Sequence, residues 1–135
     1  MTISHSNYVL LVDDDEDIRA TVEVALEYYG FEAITLGDGA EALEWLHAGN
    51  APPFLILLDF MMPNMGGLQF RQAQQNAPLL RTIPTVILTG ASELPPEHAS
   101  LVGTEVLRKP IALQDLVATV RRHAPQARSA DPASR

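Results

Sequence analysis

The chain has 135 residues, 47% of them hydrophobic and 19% charged, which bounds it to one globular domain of ordinary size. It contains no cysteine, so disulfides, thiolate metal sites and thiol catalysis are excluded. A formal net charge of −8 argues against direct nucleic-acid binding, which needs a basic footprint.

The N-terminal extension, residues 1–6, is polar and lacks the apolar core of a signal peptide. Tyr8–Val12 is a short apolar run, rich in β-branched and aliphatic residues, that stops at Asp13; it predicts a buried strand. An acidic block from Asp13 to Asp17 follows, ahead of Arg19. Ile18, Val22, Ala25, Leu26 and Tyr29 then recur at helical spacing, with Gly30 as the stop. Phe31–Leu36 predicts a second strand. Asp38 and Glu41 form a capping-box pattern that opens a helix with Ala42, Leu43 and Leu46 inward, ending near Gly49.

Pro52 and Pro53 precede a third strand, Phe54–Leu58, which ends on Asp59. This run, like Tyr8–Val12, is far short of a membrane span, so no membrane insertion is expected and the cytoplasm is the default compartment. After a Met- and Gly-rich loop, a helix is predicted from Leu68 to Gln75 and a fourth strand at Thr85–Leu88. Glu93–Val102 should hold a short helix. Glu105–Arg108 predicts a fifth strand, and Leu113, Leu116, Val117 and Val120 mark one face of a last helix. Residues 124–135 have no periodicity and read as a disordered tail. Trp45 reads as packing, and His5, His47, His98 and His123 as surface residues without ligand spacing.

Strands alternating with helices specify an α/β fold, a five-stranded parallel sheet with helices on both faces. Such sheets bind ligands at the carboxyl ends of their strands. Asp13, Asp14, Asp59, Thr89 and Lys109 all fall at those ends. Three carboxylates brought together repel one another, which makes a divalent cation their natural partner; all-oxygen ligation suits magnesium. Asp59, on a rigid strand end, is placed to act as a nucleophile, with Lys109 as a point charge and Thr89 as a hydroxyl donor for an anionic group.

Val-Asp-Asp-Asp at 12–15, Leu-Leu-Asp-Phe-Met-Met-Pro at 57–63, Leu-Thr-Gly at 88–90 and Leu-Arg-Lys-Pro at 107–110 resemble the receiver domains of two-component response regulators. The resemblance covers residues 7–123 and implies a flavodoxin-like sheet of order 2-1-3-4-5. It implies a stand-alone signalling switch in which Asp59 is the phosphoacceptor. Asp13 and Asp14, with Asp59 and the backbone carbonyl of Met61, would hold Mg2+; Thr89 and Lys109 would bind the phosphoryl oxygens. The implied phosphoryl donor is a sensor histidine kinase or a histidine phosphotransfer protein, and the implied output a downstream protein target. The only catalysis implied is of the domain's own phosphorylation and dephosphorylation. The family also implies a cis peptide at Lys109-Pro110.

The chain departs from the family at several positions. Val106 stands where an aromatic residue commonly couples the switch to its output surface. Gly66-Gly67 replaces a common Asp-Gly, which should loosen the start of the third helix. The interval from Thr89 to Lys109 is short. Met61 and Ala91 occupy the positions that tune the lifetime of the phosphorylated state, and neither side chain orients water. Two other readings stay open: a haloacid-dehalogenase-type phosphatase, which would need a second acid at position 61, and a phosphorylation-independent pseudo-receiver.

Overall fold

The structure is a computed structural model and describes residues 7–62, 65–90 and 105–125. The expected N-terminal extension, the short helix within Glu93–Val102, Ala91, His5, His98 and the tail from residue 126 lie outside the described residues.

In chain order the elements are β1 (Tyr8–Val12), α1 (Glu16–Tyr28), β2 (Glu32–Leu36), α2 (Gly39–His47), β3 (Leu55–Asp59), α3 (Gly67–Gln75), β4 (Thr85–Thr89), β5 (Glu105–Arg108) and α4 (Leu113–His123). All strand pairs are parallel, and the sheet order is β2-β1-β3-β4-β5. The expected topology and the strands that carry it are present. Order reverses at β1 and β3, so the loops after these two strands lie side by side, which is where a ligand crevice opens in such sheets.

Successive strand residues point to opposite faces, and both faces are covered. On one face Leu10, Val12, Ile56, Leu58 and Ile87 pack with Ala42 and Leu46 of α2 and Phe70 of α3. On the other, Val9, Leu11, Leu55, Leu57, Val86 and Leu88 pack with Val22 and Leu26 of α1 and Leu116 and Val120 of α4. That double burial explains why β1 and β3 read as unbroken apolar runs: every residue in both is buried. Each fully buried leucine or isoleucine contributes roughly 1.5–3 kcal/mol relative to exposure.

The helix starts follow their capping chemistry. Asp15 caps α1, its carboxylate accepting from the N–H groups of Asp17 (2.9 Å) and Ile18 (3.3 Å). Asp38 caps α2 through the Glu41 N–H at 2.8 Å. The returning Glu41 carboxylate accepts from Gly37 rather than from Asp38, one residue outside a strict capping box. The start of α3 is firmer than its glycine pair suggests. Gln69 Oε1 accepts the Gly66 N–H at 3.0 Å, and the Gly67 N–H donates to the Phe60 carbonyl at 3.0 Å. A Cβ on Gly67 would stand 2.8 Å from Phe60 Cα, so the loop closes this tightly only because the residue is glycine.

Two side chains differ from the sequence reading, and a third does more than it foresaw. Leu113 opens α4 but is 49% exposed, because it lies in the first turn, ahead of the buried Leu116 and Val120. His123 is half-buried, with Nε2 3.2 Å from a Glu105 carboxylate oxygen. Trp45 does pack on the apolar cluster, and it also donates its indole N–H to the Tyr8 hydroxyl at 3.0 Å. No helix among the described residues is long and apolar enough to cross a membrane.

Candidate functional site

β1 and β3 are hydrogen-bonded neighbours in register, Val12 beside Leu58. Their next residues, Asp13 and Asp59, therefore emerge together at the carboxyl edge of the sheet. Asp14 follows Asp13 in the turn that leads to α1. One oxygen from each of these three carboxylates lies within 4.8 Å of the other two. Asp13 is wholly buried, Asp59 is 4% exposed, and Asp14 faces solvent.

Asp13 is held on every side. Its N–H donates to the Leu36 carbonyl at 3.0 Å, and Oδ1 accepts the Asp15 N–H at 2.9 Å. Its own carbonyl accepts from the Arg19 guanidinium at 2.7 Å. The sequence reading did not single out Arg19; its place one turn into α1, past the acidic block, was the available signal. Asp13 Oδ2 faces Lys109, whose Nζ is 2.9 Å away and also lies 3.4 Å from Asp59 Oδ1. β5 delivers that lysine. The Lys109 N–H donates to the Thr89 carbonyl at 2.8 Å, just past the paired residues Thr89 and Arg108, and the following Lys109-Pro110 peptide is cis. Thr89 ends β4 and is buried.

The electrostatics are those of a site with too many carboxylates for its one ammonium. Burial pushes the Asp59 carboxyl up to about 7, and the charge of Asp13 adds to the rise; Lys109 and the Met61 N–H oppose it. Burial disfavours the Lys109 ammonium, but the hydrogen bond and charge of Asp13, with the charge of Asp59, outweigh that and raise its pKa. Met61 sends its N–H towards Asp59 Oδ1 at 3.4 Å, while its side chain is 70% exposed.

The structure thus brings together Asp13, Asp14, Asp59 and Lys109, with Thr89 at the adjoining strand end and Met61 at the rim. Val106 sits in mid-β5, half-buried against the cluster that also holds α2 and α3. The donor set among the described residues fits a small hard cation: three carboxylates, with two of the three acids withdrawn from solvent.

Comparison with known proteins gives one answer. The family model for the response regulator receiver domain matches residues 9–121. A probable chemotaxis protein CheY from Rhizobium etli is 33% identical over 123 residues, covering 89% of this chain and 94% of that protein. The CAI-1 autoinducer sensor kinase/phosphatase CqsS of Vibrio cholerae is 34% identical over 101 residues; the chain matches only 14% of its length. Among solved structures, the chemotaxis protein CheY4 of Vibrio cholerae superposes with a TM-score of 0.74 at 34% identity, covering 85% of this chain and 96% of that one.

Proposed function

The chain belongs to the response regulator receiver family, and from that premise we propose that it is a phosphorylation-driven switch whose acceptor is Asp59. The observation that carries the assignment is the shared cluster: Asp13, Asp14 and Asp59 within 4.8 Å, with Lys109 reaching two of them. Residues 7–123 form the receiver. The residues fit Mg2+, with Asp13, Asp14, Asp59 and the Met61 carbonyl as its protein ligands. When bound, the ion would supply positive charge that offsets the carboxylates and an incoming phosphoryl group.

The chain's own residues divide the remaining work. An Asp59 oxygen attacks phosphorus of a phosphohistidine on a sensor histidine kinase or a histidine phosphotransfer protein. The new bond is an acyl phosphate, the P–N bond breaks, and the released imidazole takes up a proton. Attack requires the anionic carboxylate; burial and the charge of Asp13 disfavour that form of Asp59, and the charge of Lys109 favours it. Lys109 supplies a point charge already aimed at Asp59 and moves onto the phosphoryl oxygens as they arrive. The Thr89 hydroxyl binds another phosphoryl oxygen. Output to a protein target runs through the β5 edge, where Val106 offers no large ring to swing. Met61 and Ala91 set the lifetime of the acyl phosphate. The setting is cytoplasmic, and catalysis is confined to the domain's own phosphorylation and its loss. A phosphatase of the haloacid dehalogenase type would need a second acid where this chain has Met61.

Intact mass tests the assignment. With acetyl phosphate and Mg2+, the protein should gain one phosphoryl group; omission of Mg2+ or the substitution Asp59→Asn should abolish the gain. Undiminished labelling of Asp59→Asn would sink the reading.

A further inference from the structure

Met61, Met62 and Met65 lie within one loop, but their surroundings differ. Met62 and Met65 are half-buried and pack against the apolar cluster beneath α2 and α3. Met65 is also seated on α2, since a Cβ at Gly39 would lie 2.9 Å from its Cγ. Met61 is 70% exposed, and its backbone N–H points at Asp59 Oδ1 in the acidic cluster. An exposed thioether on a flexible, unbranched side chain is the form of methionine most open to oxidation.

We propose that Met61 is a modification site, at which a peroxide converts the thioether to the sulfoxide and thereby shortens the life of phosphorylated Asp59. The second half rests on the reading of Asp59 as the acceptor. The chemistry balances with a hydroperoxide as oxidant. The sulfur lone pair attacks the distal peroxide oxygen and the O–O bond breaks. An S–O bond forms, the transferred oxygen gives up its proton to the departing hydroxide, and hydrogen peroxide is reduced to water. Sulfur loses two electrons and the peroxide gains two.

The change alters what the residue does beside Asp59. A thioether is a weak acceptor that covers the rim with apolar surface. A sulfoxide oxygen is a strong acceptor on the same side chain, anchored two residues past Asp59. Loss of the acyl phosphate requires water to approach phosphorus in line, and a rim acceptor that holds this water removes part of the entropic cost of positioning it. Met62 and Met65 have no such effect, because their side chains are directed into the packing beneath the loop.

The experiment uses the full chain. The protein is exposed to graded hydrogen peroxide, and tandem mass spectrometry locates the added oxygen among the methionines. It is then phosphorylated with acetyl phosphate and Mg2+, and the decay of the phosphorylated mass is followed. Oxygen should appear on Met61 before Met62 or Met65. Decay should quicken about three- to tenfold, the scale of one ordinary hydrogen bond gained at the transition state. Met61→Gln, which places an amide acceptor there without oxidation, should quicken it similarly. In Met61→Leu, peroxide-treated and untreated protein should decay at the same rate. Equal oxidation of Met62 or Met65 overturns the site. Selective oxidation of Met61 with unchanged or slower decay overturns the consequence. Untreated protein that gains no phosphoryl group overturns the acceptor reading and the lifetime effect with it; the oxidation map would then still decide the site alone.

Discussion

The two ends of the sheet are built from the same strands, and they treat polar groups in opposite ways. β1 begins at Tyr8, whose hydroxyl donates to the Ala51 carbonyl and accepts from Trp45. β4 begins at Thr85, whose hydroxyl meets Gln74 and the Ile83 carbonyl. β5 begins at Glu105, paired with Arg122 and His123. At the other end the same strands deliver Asp13, Thr89 and Lys109, and β3 adds Asp59. The amino end matches most of its donors to acceptors, the buried Arg71 Nε being the exception. The carboxyl end gathers three acids around one ammonium and pushes the Asp59 carboxyl up to about 7. The difference separates an edge built to be stable from an edge that holds unfavourable charge until a cation or an anionic group arrives.

The largest effect expected is at the stable end. Gln74 is wholly buried; its amide nitrogen donates to the carbonyls of Leu80 (3.0 Å) and Ile83 (3.2 Å), and its oxygen accepts from Arg71 at 2.7 Å. Gln74→Ala takes one of two donors from each carbonyl, removes the acceptor of the Arg71 guanidinium and opens a cavity, so it should cost about 2–4 kcal/mol in urea unfolding. Phosphorylation of the folded fraction should be unchanged. A large loss of labelling per folded molecule would mean that the two ends are coupled.

The opposite sign is expected at the acidic end. A carboxyl whose folded pKa is near 7 favours folding while protonated, and that contribution is lost as pH rises through 7. Asp59→Asn keeps the shape and removes the ionisation. In EDTA it should therefore match the wild type below about pH 4 and exceed it by roughly 1–3 kcal/mol at pH 8. Equal stability of the two proteins at pH 8 would show that Lys109 has already relieved the repulsion.

The smallest effect is expected at Glu105. Its hydrogen bond with Arg122 lowers its pKa; burial works against the fall, and His123 adds to it. A lowered folded pKa places this pair's contribution above the ordinary carboxylate range, to be lost as pH falls through the folded value. Glu105→Gln should lower the melting temperature slightly at pH 7, less so in high salt and not at all in strong acid. A loss independent of salt would assign the effect to packing of the β5 start instead.

Much of this was legible in the chain itself. The alternation of apolar runs with helical spacing gave five strands in nearly their observed places, because residues such as Leu10 or Leu57 leave no other way to be buried. The site was legible for a related reason: a buried strand that stops on a lone Asp or Lys must end there, since charge cannot continue into the core. Contacts across elements were less legible. His123 read as a surface residue because its partner, Glu105, lies 18 positions away and on another element. Arg19 offered only its place one turn past the acidic block, which does not name the Asp13 carbonyl as its partner, and the Gly66-Gly67 pair gave no sign of the Phe60 backbone it closes on.

The sequence by itself determined which segments form strands, where each strand ends and which charged groups stand at those ends, because periodicity and burial are properties of the chain read locally. Only the tertiary structure decided that Asp13 is fully buried while its neighbour Asp14 is not, that Lys109 reaches both Asp13 and Asp59, and that Met61 faces solvent while Met62 and Met65 do not. Those outcomes depend on distances between residues far apart in the chain, and such distances exist only once the strands have been set side by side.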